Sequence, residues 1–441
     1  MRIDEAGDTT ARAGAGLLGI VANGLHREAA AAASLLRLLP PDDARAGLLR
    51  ARALVLAGLP ETALRVYASV PWSARDAPVR AMALRLLGRW ESAEQCLGHS
   101  ATSVRSGTAT APALECAALA LDRGEPVLGR TAQHWAEQAL RSASGPGAGT
   151  HSPDGTGSGA GTDVEAESDT VYARCLLAAA FAAVGRFGAA LDAADAAARL
   201  LDGLGEDALL RRLDAVHRLA DALFHTGRRH QAERRLGEAL VLARESGQEH
   251  VAGRLELGLA RARLAAEDLT EAGRWAERAS GAARRTGGVP LGVDAALCLA
   301  RVRLAAGDTA GAVDTAESAA RAARPLGGVW RDRAAARLRE VRTVREHEGT
   351  LFPGEADETG DPYKRGPAGA SPVALSGREA QVAALVSEGC TNQQIAARLQ
   401  LSAKTVETHL SRIFKKLGIT SRAQVAHWVG LTAGPARDGG G

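Results

Sequence analysis

A turn residue is followed five positions later by alanine, then by an apolar residue at +9 and usually by alanine at +12. This pattern returns along the chain about every 40 residues. Gly185 leads to Ala190, Ala194 and Ala197; Gly227 leads to Ala232, Leu236 and Ala239. Glu267, with Asp268 beside it, leads to Ala272, Ala276 and Ala279; Gly307 leads to Ala312, Ala316 and Ala319. Successive anchors are 42, 40 and 40 residues apart. The same unit occurs earlier as Gly58, Ala63, Tyr67 and Val70, again as Gly88, Ala93 and Leu97, and more weakly from Gly124. Steps of four and three residues keep the alanines on one helix face, and small residues there let helices approach closely. The unit is therefore a helical hairpin with a turn at the anchor. One hairpin alone leaves its apolar face in water, so neighbours must stack into a superhelix with a concave face.

Composition agrees with an all-α fold. Aromatic residues make up only 3% of 441, too few for the pleated surfaces of a sandwich or barrel. Two stretches read as linkers. Ser144 to Asp169 is rich in Gly, Ser and Thr and cannot bury enough apolar surface to offset chain entropy, so disorder is expected. Gly349 to Pro372 is rich in Pro, Gly and acids. The expected organisation is helical repeats over 1–143, a linker over 144–169, further repeats over 170–348, a linker over 349–372, a compact basic domain over 373–433, and a flexible tail over 434–441.

Charge separates the last part from the rest. The chain as a whole carries only +3, from 54 basic and 51 acidic residues. Its four lysines, Lys364, Lys404, Lys415 and Lys416, all lie in the last fifth. From Pro372 to Ala433 seven basic residues face three acids, a local +4 that suits an anionic partner. Five scattered cysteines (Cys96, Cys116, Cys175, Cys298, Cys390) form no C-x-x-C pair and read as buried reduced thiols. The start, "MRIDEAGDTTARAG", has no secretory pattern, and no apolar run approaches the ~20 residues of a membrane span. A cytoplasmic protein is expected.

Capping signals parse the basic segment into four short helices. Ser376 with Glu379, Thr391 with Gln394, and Ser421 with Gln424 are capping boxes, and Ser402 can cap the helix between the last two. Gly389 and Gly418 stop helices. The step at Gln400-Leu401 is the short turn of a helix-turn-helix. In the third helix Val406, Leu410, Ile413 and Leu417 form an apolar stripe. It is expected to pack on Leu385, Ile395 and Leu399. Lys404, Thr408, Ser411 and Lys415 form a second, outward stripe, flanked by Arg412 and Lys416.

These elements strongly resemble the LuxR-type (NarL/FixJ-like) helix-turn-helix family. The matches are "L-S-x-R-E" at Leu375–Glu379, "E-G-x-T-N-x-x-I-A" at Glu388–Ala396, "L-S-x-K-T-V-x-T-H" at Leu401–His409 and "K-K-L-G-I-x-S-R-A-Q" at Lys415–Gln424. The repeats resemble degenerate tetratricopeptide repeats, although ~40 residues exceeds the ~34 of that consensus. Together they resemble the large ATP-binding LuxR regulators, except that no G-K-[ST] occurs here. The implied architecture is a tetratricopeptide-like α-hairpin superhelix followed by a four-helix LuxR-type DNA-binding domain.

The resemblance makes the third helix the recognition helix. Glu407, Thr408 and Ser411 become candidates for base-edge contact. Thr391, Asn392, Lys404, Thr405, Arg412, Lys415, Lys416 and Arg422 become candidates for phosphate contact. It also implies double-stranded DNA as partner and pairing into a homodimer on DNA through helix four. Glu407 stands where the family usually has lysine; a carboxylate repels phosphate but can accept from cytosine N4. Gly377 stands where proline is common. The repeats are expected to take a protein, peptide or small-molecule effector. A second reading is a scaffold whose helix-turn-helix contacts protein, such as RNA polymerase. No cofactor, metal site or enzymatic motif is read from the sequence. His409, beside the core stripe, is read as a packing residue, and Cys390 as an inert thiol at an exposed turn. His225–Arg235, "HTGRRHQAERR", is read as a solvated rim, and the Arg-rich helix headed by Trp330 as the polar cap of the stack.

Overall fold

A computed structural model describes residues 27–38, 44–71, 76–98, 110–124, 126–143 and 159–351, most of 375–399, and 405–407, 409–410, 412–413 and 425. Among these residues there is helix and no strand. The chain divides into a helical array, Met1–Ala222 with His230–Leu351, and a C-terminal unit, Phe352–Gly441, that also takes in Leu223–Arg229; each is described by itself.

The array opens with α1 (Ala29–Leu35), α2 (Ala44–Leu56), α3 (Pro60–Ser69), α4 (Ala77–Leu86), α5 (Trp90–Gly98), α6 (Thr110–Arg123) and α7 (Pro126–Ala143). It continues through α8 (Gly159–Ala183), α9 (Phe187–Gly203), α10 (Glu206–Arg211), α11 (Leu213–His225), α12 (Arg229–Glu245), α13 (Glu249–Ala265), α14 (Leu269–Thr286), α15 (Val289–Ala305), α16 (Thr309–Ala323) and α17 (Gly328–Leu351). Every repeat alanine named above is buried, among them Ala190, Ala194, Ala232, Ala272, Ala276 and Ala312, each with no exposed surface.

The repeat is finer than its alanines suggest. Helices α12 to α16 start at Arg229, Glu249, Leu269, Val289 and Thr309, a strict 20-residue half-period. Left-handed residues occur at 227, 267 and 307 and equally at 247, 287 and 327. The 40-residue repeat is thus two helices of 15–18 residues joined by near-identical turns. At the turns from 227 to 307 an amide bonds back five residues in a Schellman-type closure, for example Arg228 N to Leu223 O at 2.8 Å and Asp308 N to Arg303 O at 2.9 Å. Asp268 and Asp308 then cap the next helices, accepting from Glu271 N (3.2 Å) and Gly311 N (2.9 Å).

Among the described residues Glu267 is the one side chain placed at positive φ, +65°. Left-handed backbone costs a non-glycine residue about 1 kcal/mol or more. Glu267→Gly is therefore expected to stabilise the array by about 1 kcal/mol. Urea unfolding followed by helicity checks this; an unchanged or lowered midpoint would show that the turn carries no strain.

The concave face is not left open. The turns of the first hairpins reach across and pack against later helices. A Cβ added at Gly58 would lie 2.8 Å from Thr286 Cγ2, and one at Gly88 only 2.2 Å from Leu326 Cδ2. Trp90 and Trp330 stack with centroids 6.3 Å apart. Trp90 Nε1 donates to Leu326 O (3.2 Å) and Trp330 Nε1 to Asp122 O (2.9 Å). The surrounding core joins α4, α5 and α6 to α15, α16 and α17. Helix α17 does present a polar outer face, but Trp330, Ala334 and Val341 are interior residues.

Three expectations change. The segment 144–169 is not a linker throughout: α8 begins at Gly159, and Asp169 is buried, held by Arg212 Nη2 at 2.6 Å. That pairing supplies what the segment's composition lacks; 144–158 lie outside the described residues. In the basic rim, His225, His230 and Arg234 are exposed, but Arg235 is buried and forks onto Asp202 at 2.7 and 2.8 Å. Cys390 lies in the core rather than at an exposed turn, because its amide closes the preceding helix onto Leu385 O and draws the thiol inward. None of the five cysteines forms a disulfide.

Candidate nucleic-acid interface

The C-terminal unit contains α18 (Gly377–Ser387) and α19 (Asn392–Leu399), followed by helical residues at 405–407, 409–410 and 412–413. The Thr391 capping box forms in full. Thr391 N donates to Gln394 Oε1 (2.8 Å), and Gln394 N donates to Thr391 Oγ1 (3.3 Å). The end of α18 is closed by Cys390 N to Leu385 O at 3.1 Å. Both devices are local, so the sequence alone suffices to place them.

Val406, Leu410 and Ile413 sink into one cluster with Leu385, Ile395 and Leu399, as their i, i+4, i+7 spacing requires. Val425, from beyond the third helix, joins the same cluster. Glu407 and Arg412 are exposed on the flanks of the opposite face. Thr391 is exposed and Asn392 half-buried at the start of α19; Thr405 is half-buried. The geometry thus separates a core stripe from a solvent face on the third helix. Thr408, Ser411, Lys404, Lys415, Lys416 and Arg422 lie outside the described residues, as do Leu417, Ser376, Ser402 and Ser421.

One role was missed. Arg378 entered the sequence reading through the basic balance and the L-S-x-R-E match, without a structural role, yet its Nη2 donates to Leu399 O (2.7 Å) and its Nη1 to Gln381 Oε1 (2.8 Å). It satisfies a carbonyl at the end of α19, at the turn into the third helix. The arginine of the L-S-x-R-E stretch therefore positions the turn. The signal was its place inside a motif otherwise made of capping residues. His409 is half-buried; burial, then Arg378 and Arg412, lower its pKa against the opposing pull of Glu379. It is neutral near pH 7, as a packing residue should be.

Residues 373–429 match the family of bacterial regulatory proteins of the luxR type. The C-terminal segment is a LuxR-family helix-turn-helix domain. Relatives align through this LuxR-type domain. A Mycobacterium bovis protein named as an HTH-type transcriptional regulator is 49% identical over 51 residues, 12% of this chain and 6% of that protein. The DNA-binding transcriptional activator DevR/DosR of Mycobacterium tuberculosis is 46% identical over 52 residues, 12% of this chain and 24% of its own length. The Escherichia coli response regulatory protein YgeK is 51% identical over 47 residues, 11% and 32% of the two chains. The chain thus spans less than a third of each of these relatives.

Among solved structures, a signal-transduction ATPase with a tetratricopeptide repeat sensor from Pyrococcus horikoshii aligns over 91% of this chain and 51% of its own. Its identity is 11% and its TM-score 0.41. The apo form of RapI aligns over 86% of this chain and 100% of its own, with 9% identity and a TM-score of 0.35. No helix among the described residues is long and apolar enough to cross a membrane.

Proposed function

We propose that the chain is a sequence-specific DNA-binding transcriptional regulator whose helical repeats sense an effector and control the LuxR-type domain. The match over residues 373–429 carries this reading. The exposed flanks of the third helix, Glu407 and Arg412, support it. In this reading the module occupies 373–433, pairs on DNA through helix four, and takes two half-sites about one helical turn, ~10 bp, apart. The third helix enters the major groove. Glu407, Thr408 and Ser411 meet base edges; Lys404, Thr405, Arg412, Lys415, Lys416, Thr391, Asn392 and Arg422 meet phosphates.

Depth in the groove separates two substitutions. Thr408 belongs to the N-terminal half of the recognition helix and has a short side chain suited to a base edge. Lys415 comes two turns later, where a long cation reaches phosphate. Lys415→Ala is expected to weaken binding to all sequences alike and to lower the salt slope by about one. Thr408→Ala is expected to change base preference, at a cost of about 1–3 kcal/mol confined to the right site. Titrations on operator and random DNA at several salt concentrations measure both. The docking orientation is wrong if the two effects are exchanged. Absence of any sequence preference in the full chain would overturn the reading itself.

A further inference from the structure

The sensor reading needs a site, and the array contains one. A cavity of about 290 Å³ lies between α2, α4 and α6 on one side and α8, α10, α11 and α13 on the other. Its volume is near the lower end for small-molecule sites. Leu56, Val79, Met82, Leu114 and Val251 give it an apolar wall, and Tyr172, Asp214 and His250 contribute polar groups.

Two of the four lining acids have arginine partners, and Glu165 is exposed. Glu115 is bound by Arg85, Asp169 by Arg212 at 2.6 Å, and Asp76, just behind, by Arg52 at 2.7 Å. Asp214 is different: it is half-buried and has no hydrogen bond or ion pair among the described residues. His250 is a second open acceptor. It is 4% exposed, and its Nδ1 lies 3.2 Å from Leu56 O. A carbonyl only accepts, so Nδ1 carries the proton, and Nε2 is left as a lone pair. That Nε2 is buried with no partner among the described residues. Burial, helped by Arg254 and Arg85 and opposed by Asp214, lowers the His250 pKa to about 4, so the ring is neutral near pH 7. The lining carries Arg52, Arg211 and Arg212 against Glu115, Glu165, Asp169 and Asp214, one net negative charge.

We propose that this cavity binds a small organic amine, its ammonium donating to Asp214 and His250 and its apolar body lying against Leu56, Val79, Met82 and Leu114. An ammonium brings three donors and one positive charge, which match the Asp214 carboxylate, free of any ion pair among the described residues, and the lone pair of His250 Nε2. A neutral polar ligand leaves Asp214 without a direct ion pair, and an anion is repelled by it. The proposal rests on the sensor reading and names the chemistry of what is sensed.

Matched probes test it on the full chain. 4-Phenylbutylamine, 4-phenylbutanol and 4-phenylbutyrate share an apolar body and differ only in the head. Calorimetry is expected to show one amine bound per chain and weaker or no binding of the other two. Asp214→Asn, nearly the same shape, is expected to weaken amine binding by about tenfold or more with helicity unchanged. Val79→Trp fills the apolar end and is expected to remove binding without touching the acceptors. Preference for the carboxylate, equal binding of all three, no binding of the amine, or an Asp214→Asn affinity equal to the parent each overturns the proposal. DNA affinity measured with saturating amine tests the sensor reading separately. If the amine binds through Asp214 and DNA affinity stays unchanged, the cavity stands and the sensor reading falls.

Discussion

Asp122→Ala is expected to destabilise the helical array by about 3–5 kcal/mol. Asp122, on α6, accepts from Arg85 of α4 at 2.5 Å, Arg218 of α11 at 2.7 Å and Arg254 of α13 at 2.8 Å. All four side chains are at most 14% exposed. One carboxylate therefore bonds three guanidiniums drawn from three other helices. Removing it leaves Arg218 and Arg254 buried without an ion pair among the described residues, while Arg85 keeps Glu115. The loss exceeds the worth of the bonds, because it includes the desolvation those bonds offset.

The same site predicts an acid limb. Burial would raise the Asp122 pKa, but Arg218, Arg254 and Arg85 together outweigh it and hold the carboxyl well below the usual range. A folded pKa below the unfolded value near 3.9 means stability that is present above about pH 4 and lost as pH falls towards the folded pKa. Urea unfolding of parent and variant at pH 7 and at successively lower pH measures both effects. The parent should lose stability below pH 4 more steeply than Asp122→Ala. Equal midpoints at pH 7 would show that the cluster adds nothing net.

Ile413→Ala is expected to cost the LuxR-type domain about 2–5 kcal/mol. Ile413 has no exposed surface and lies in the cluster that joins the third helix to α18 and α19. A domain confined to residues 373–429 holds only a few kcal/mol in reserve, so this loss is of the order of its whole stability. Sequence-specific DNA binding should therefore disappear although Ile413 belongs to the core face. The array should keep its helicity, since its cores are separate from this one. Gel shifts on a selected operator, with circular dichroism of the same sample, give both readings. Parent-like DNA affinity in Ile413→Ala would mean that the third helix is held by something other than this core.

What could be read from sequence is what acts over a few residues. The alanine spacing fixes which face of each helix is buried, and glycine at 58, 88, 185, 227 and 307 fixes left-handed turns. The Thr391–Gln394 box fixes where α19 begins. Each depends on bonds or contacts within one or two helical turns, so the local pattern is sufficient. The LuxR-type motifs are legible for the same reason: their caps and stripes are contiguous.

Tertiary structure alone decided what happens across the array. Asp122 meets Arg218 and Arg254 from 96 and 132 residues away, and Trp330 meets the Asp122 carbonyl across 208. The cavity takes its lining from seven helices, and Asp214 differs from Glu115 and Asp169 in that no arginine among the described residues forms an ion pair with it. A charged residue in a helical repeat looks the same in sequence whether it faces water or three guanidiniums. Its role depends on how far the hairpins wind back on one another, and that winding is the sum of many small packing angles that no single stretch encodes.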